Sequence, residues 1–345
     1  TLGSAPVKNE ALITDGHNIL NIGISAVLDK PYAPEKFGDV ENFLAAKNIE
    51  GTTEDLAFSP DGKLVLAVPD GLIFMDESGN ASLQELAGDK LVSPLGIAYD
   101  STGNLWVADS AGKALRKISP DFKVSTVLTG DGTQDFKQPN FTAIGYGGKV
   151  YLTDPCIKEI LRIDPLTAKI EAIMTFDAAT EGGPNGIVFD PEKKRAFVTT
   201  ENIGLLCADG SVPIEDPVAG LYEIEITDQG FGAKKAVAAN MGIFGDGATM
   251  DNEGNVYAIF DAKKKDEFAL EESAVWIFPA EGGAPVKFIS ANDKILANLE
   301  FGSGAFGGKT LYISLLAVPV FGFNERGVVK FDVGIQGAKT LADFD

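Results

Sequence analysis

Four side chains capable of holding a hard metal ion stand at one position of a repeating frame: Glu54, Asn140, Asn185 and Asp246. Two carboxylates and two carboxamides offer oxygen donors only, the donor set of a divalent cation that takes six to eight oxygens, with water completing the shell. Calcium suits the mixture best. Magnesium demands a tighter octahedral geometry, and zinc or copper would call for imidazole or thiolate. The single histidine, His17, lies outside the frame. Taken one at a time, each of the four is as readily a turn residue bonded to its own backbone. Their common register favours a shared site.

The frame is a repeat. Its column reads Glu54, Leu95, Asn140, Asn185, Asp246, in steps of 41, 45, 45 and 61 residues. Four places on stand Phe58, Tyr99, Ile144, Phe189 and Met250, and eleven or twelve places on stand Val65, Trp106, Tyr151, Phe197 and Tyr257. A sixth, shorter copy reads GSGAFGGKTLYIS from Gly302 through Phe306 and Tyr312, with only Gly302 or Ser303 to offer at the column. Periods of this length are those of propeller blades. Within the second unit four alternating or buried runs are separated by turn signals, and SPDGK (59–63), DSTGN (100–104) and DNEGN (251–255) recur where a first strand turns into a second. The last of these lacks the spacing and terminal glutamate of an EF-hand and reads as a hairpin turn.

These patterns predict an all-β fold: a six-bladed β-propeller of four-stranded blades, which leaves only short protected edges. Residues 1–39 read as an N-terminal extension and 40–345 as a single propeller domain. A strand near Val40–Ala46 is expected to close the last blade, although Glu41–Ala46 and Asp266–Ser273 are also the two stretches compatible with a helix.

In a propeller the first strand of each blade lines the central tunnel, so the column should meet at the axis. The second strand returns to the same face, where Asp109, Asp154, Glu201 and Asp261 would rim the mouth; strand-end acids are equally turn formers. Segments 202–220 and 261–274 stretch the longer repeats and are the expected walls of the mouth.

Composition narrows the partners. Fifty acidic against 29 basic residues give a net charge of −21, a field that repels nucleic acid and gathers cations. Lys263-Lys264-Lys265 reads as a solvated loop. The longest apolar run, Leu315 to Phe323, contains Pro319 and Gly322 and is too short to span a membrane. The chain begins at Thr1; were that a processed terminus, the protein would be periplasmic or secreted. Cys156 and Cys207 follow the second strands of neighbouring blades, leaving a bridge and two ordinary thiols both open. Asn80-Ala-Ser82 and Asn140-Phe-Thr142 match the glycosylation pattern, which is common by chance. Nothing in the sequence sets an oligomeric state.

From Glu54 to Phe331 the chain resembles the SMP-30/gluconolactonase/LRE-like family of calcium-dependent six-bladed propellers. The likeness is carried by Glu54 four residues before Phe58, by PNGIVFDP (184–191), by DGATMDNEGNVYA (246–258) and by AFGGKTLYIS (305–314). The resemblance implies metal binding by Glu54, Asn185 and Asp246, with Asn140 on metal or substrate. It implies a lactonase-type hydrolase acting on a small lactone or ester, with Asp246 assisting the attacking water. The chain departs from the family where Asp55-Leu56 replace Gly-Pro after the glutamate and where Asn140-Phe-Thr follows Gln138 in place of an Asn-Asp-Gly preceded by arginine. Two other readings share the architecture: a non-catalytic propeller stapled by its cation that binds protein or glycan, and a metal-free enzyme like strictosidine synthase.

Overall fold

A computed structural model describes residues 35–69, 71–207, 218–263, 270–319 and 322–340. His17, Lys264 and Lys265, most of the N-terminal extension, and the middles of the two expected mouth segments lie outside these residues.

Six antiparallel sheets form six blades of a β-propeller. Their inner strands are Leu56–Phe58, Pro94–Tyr99, Phe141–Gly145, Gly183–Asp190, Phe244–Met250 and Ile295–Phe301, and each neighbours the next around the ring, the last returning to the first. In the second blade a short parallel strand, Ala87–Gly88, adds a fifth member.

The core explains the frame. Residues of neighbouring blades share each of the six main apolar layers. In five of the layers the residue eleven or twelve places past the column packs on the residue four places past the column of the next blade. Tyr151 meets Phe189 at 4.7 Å between ring centroids and Tyr257 meets Phe301 at 5.4 Å. Trp106 packs with Ile144, Val65 with Tyr99, and Phe197 with Met250 in the same way. Each fully buried side chain of this size contributes about 1.5–3 kcal/mol. The expected hairpin turns also form: Asp100 and Asp251 accept backbone amides from two and four residues ahead, and each reaches an interblade aromatic, Trp106 Nε1 at 2.8 Å and Tyr257 OH at 3.1 Å.

The same packing corrects the sixth copy. Phe301, not Phe306, receives Tyr257, and Tyr312 meets Phe58 of the first blade at 5.7 Å. The blade's column position is therefore Ala297, not Gly302 or Ser303. Its first hairpin is longer than the others because Gly304–Phe306 forms a 3-10 turn inside it, and that extra length displaces the motif.

Ring closure also differs from expectation. Val40–Lys47 is an α-helix, because Val40 and Leu44 are its buried residues, spaced one turn apart, and Asn48 ends it in the left-handed conformation (φ 54°). The closing strand is Glu35–Lys36, paired antiparallel with Gly327–Asp332. The other helix-compatible stretch, Asp266–Ser273, is described from Leu270 on, and there it is the start of a strand, Leu270–Phe278. Arg326 locks the closure: its fork donates to both oxygens of Glu41 at 2.9 and 2.6 Å, and Nη1 to the carbonyls of Ile49 and Gly51 at 3.1 Å. Cys156 and Cys207 form a disulfide, with Cα atoms 5.4 Å apart. No described helix is long and apolar enough to cross a membrane.

Removal of the Arg326 fork should loosen the ring. Arg326→Ala is expected to cost about 2–4 kcal/mol, the range for stranding a hydrogen-bonded charge partner. Arg326→Lys should recover less than half of that, since an ammonium cannot reproduce the planar fork. Urea unfolding of the three proteins measures both; equal stability of R326A and the parent would dismiss the lock.

Candidate active site at the propeller axis

The inner strands do not run straight past the axis. Pairing with the second strand skips two residues in four blades: Leu95-Gly96, Asn185-Gly186, Asp246-Gly247 and Ala297-Asn298. The first of each pair is the column residue, so the column sits at a bulge that re-aims its side chain. The second is glycine in three blades because the neighbouring inner strand is close. A Cβ on Gly186 would lie 2.5 Å from the carbonyl oxygen of Asp246, and one on Gly96 2.4 Å from the Cα of Phe141.

Amides freed by the bulges find hydroxyls. Gly186 N donates to Thr199 Oγ1 at 2.9 Å, and that hydroxyl donates to the carbonyl of Asp246 in the next blade. Asn298 N donates to Ser314 Oγ at 3.0 Å, which donates to the carbonyl of Glu54. Phe141 N donates to Thr153 Oγ1 at 3.1 Å. All three hydroxyl residues are fully buried. Two column residues, Asp246 and Glu54, are thus fixed by the blade before them.

The column residues occupy the inner-strand bulges or starts of all six blades, with Leu95 and Ala297 as its apolar members. Asn140 and Asn185 are buried, and the Oδ1 of each has no hydrogen-bond partner. Asn140 is held by its backbone, N to Thr153 O at 2.8 Å and O from Gly96 N at 2.7 Å. Asn185 Nδ2 donates to Glu201 Oε1 at 3.2 Å. Glu54 and Asp246 keep partial exposure.

Of the four rim acids, two are turn formers. Asp109 accepts from the amides of Val92 and Ser93 and from Arg116 Nε, and Asp154 from the amides of Lys137, Gln138, Cys156 and Ile157. Glu201 and Asp261 instead join the axial group: both are buried, and Asp261 Oδ1 is a third partnerless oxygen. Sequence reasoning passed over Asp55 and Asn298. Asp55 accepts Leu56 N at 2.7 Å, Ile97 N at 2.6 Å and Asn298 Nδ2, tying the first, second and sixth blades together. Asn298 could have been found by aligning NLEF (298–301) on the +4 aromatic rather than AF (305–306).

Five carboxyl groups therefore influence one another, and no Lys, Arg or His among the described residues offsets any of them. Burial pushes Glu54 up to about 8 and Asp261 up to about 7. Burial, with the charges of Glu54, Asp261, Glu201 and Asp55 added, holds Asp246 well above the usual carboxylate range. Glu201 is raised by burial and by Glu54, against the Asn185 bond, and Asp55 by burial against its two backbone amides. Negative charge and partnerless carbonyl oxygens of this kind are groups that a bound cation could satisfy. Among the described residues no three His, Cys, Asp or Glu side chains close on one point, so a cation would draw on the carboxamides as well. The oxygen-only donor set fits calcium and offers nothing to a softer metal.

These acids hold protons more tightly folded than unfolded, so in the absence of divalent cations they stabilise the folded state fully below about pH 4, their unfolded range. That stability is lost as pH rises through about 7 and 8, the values for Asp261 and Glu54. The melting temperature in chelator should accordingly fall between pH 5 and 8. A flat profile over that window would contradict the charge clustering.

No protein-family profile matches the chain. It is 25% identical over 265 residues to a protein named gluconolactonase from Zymomonas mobilis, a match that covers 70% of this chain and 66%, just under two thirds, of that protein's length. Solved structures with the same fold include XC5397 from Xanthomonas campestris, described as a gluconolactonase, at a TM-score of 0.56 and 14% identity, covering 84% of this chain and 88% of that one. A luciferin-regenerating enzyme superposes with a TM-score of 0.60 at 11% identity, over 90% of this chain and 98% of its own. The chain is a six-bladed propeller similar in sequence to a protein named gluconolactonase and in fold to the structure of XC5397.

Proposed function

We propose that this chain is a calcium-dependent hydrolase of a lactone or related ester, acting at the axis of the propeller. The observation that carries the reading is the pair of buried carboxamide oxygens, Asn140 Oδ1 and Asn185 Oδ1, left without partners among the described residues, with Asn185 held against Glu201, whose charge is offset by no described basic side chain. The relative named gluconolactonase supports the substrate class.

Glu54, Asn140, Asn185 and Asp246 would hold the cation, two charged and two neutral oxygens. When bound, calcium supplies Lewis-acid polarisation of the ester carbonyl and compensates the charge that develops on its oxygen. The rest falls to the chain. Asp246 keeps partial exposure, is anchored through its backbone by Thr199, and is surrounded by acids that raise its proton affinity. It orients the attacking water and takes its proton as the water oxygen bonds to the acyl carbon. The ring C–O bond then breaks, and the departing oxygen takes a proton to give the hydroxy acid. With a cation held there Asp246 would be less basic, and the neighbouring Glu54, Glu201 and Asp261 would oppose that lowering.

A panel of lactones, aryl esters and phosphotriesters, assayed with and without chelator, tests the reading. Chelation is expected to abolish turnover at temperatures where circular dichroism shows the fold intact, and added calcium to restore it. Asp246→Asn should lower kcat about 10²–10⁴-fold, the range for losing a proton acceptor, with the fold retained. Lactone hydrolysis that persists in chelator, or in D246N, would overturn it; a cation that only staples the blades would shift the melting temperature and nothing else.

A further inference from the structure

We propose that Glu201 is a positioning residue: it grips the Asn185 carboxamide by Nδ2 so that Oδ1 is presented to the axial cation. The proposal rests on the cation reading above and adds a residue to it.

Asn185 Nδ2 donates to Glu201 Oε1 across 3.2 Å, which turns Oδ1 to the opposite side of the amide. That bond is the one hydrogen bond of the Asn185 side chain among the described residues, and Oδ1 is buried without a partner. Removing the acceptor leaves the amide free to turn its NH2 toward the cation, where a donor repels.

Local sequence explains why this rim acid is available while its counterpart in the third blade is not. Asp154 is followed by Pro155 and a tight turn, and its carboxylate is consumed by the amides of Cys156 and Ile157 as well as by Lys137 and Gln138. In the fourth blade Asn202 takes over the capping: its Oδ1 accepts Gly204 N at 2.8 Å at the start of the short helix Ile203–Leu206. The Glu201 carboxylate is left to Asn185. Close approach is secured by glycine, since a Cβ on Gly182 would lie 2.5 Å from the Glu201 carbonyl oxygen and one on Gly183 2.6 Å from Ile203.

The test is calcium affinity by isothermal calorimetry on the full chain, with melting in chelator as the check that each variant folds. Glu201→Ala should weaken calcium binding about 10–100-fold, the usual cost of losing a partner that orients a ligand. Glu201→Gln retains an oxygen that can accept Nδ2 and should stay within about 5-fold of the parent by the same reasoning. In an Asn185→Ala background, E201A should add less than about 2-fold, because the two residues act as one unit. Unchanged affinity in E201A, equal losses in E201A and E201Q, or additive losses in the double variant would each overturn the proposal. A parent chain that binds no calcium would overturn the functional reading itself, and this one with it.

Discussion

A set of acids near the axis, with no basic side chain among the described residues to offset them, is the constraint around which this propeller is arranged. Glu54, Asp55, Glu201 and Asp261 all act electrostatically on Asp246, and of the five Asp55 alone is well supplied by amide donors. Burying such charges is among the most costly things a fold can do. The ring tolerates it because Asp246 stands on an inner strand, Glu201 and Asp261 on second strands, and Glu54 and Asp55 directly before an inner strand, so the repulsion is carried by strands packed on six interblade layers.

Rigidity at the axis comes from how the bulges are resolved. Each bulge releases a backbone amide near the centre of the molecule, where an unsatisfied donor is expensive. At two of the four bulges Thr199 and Ser314 accept that amide and donate their own O–H to the column carbonyl of the following blade. A defect in one sheet thereby becomes a link to the next. The site is built from contacts between blades, and its geometry depends on the ring being closed by Glu35–Lys36 and Arg326.

Much of this was legible in the chain. The period, the hairpin turns and the two apolar rows predict six four-stranded blades because each row is one side of a repeated interblade contact, as Tyr151 on Phe189 shows. The column was legible for the same reason in five copies. The sixth was misregistered, since an inserted 3-10 turn put AFGG where the eye finds a familiar motif while the packing partner of Tyr257 lay five residues earlier at Phe301. Val40–Lys47 was ambiguous because eight residues carry too few apolar positions to separate a helix from a strand. The split of the rim acids into turn formers and axial residues was not legible at all: it depends on whether the following residues, Pro155 or Asn202, leave the carboxylate free, a matter of local backbone geometry rather than residue type.

The Cys156–Cys207 link fastens the helix that follows Glu201 to the turn that follows Asp154, joining two adjacent blades at the mouth of the tunnel across a sequence separation of 51. Cross-links of this kind persist where thiols are kept oxidised and are undone in a glutathione-rich cytosol. The choice of host compartment for producing the protein thus decides whether the fourth blade's shoulder is covalently braced or held by packing alone.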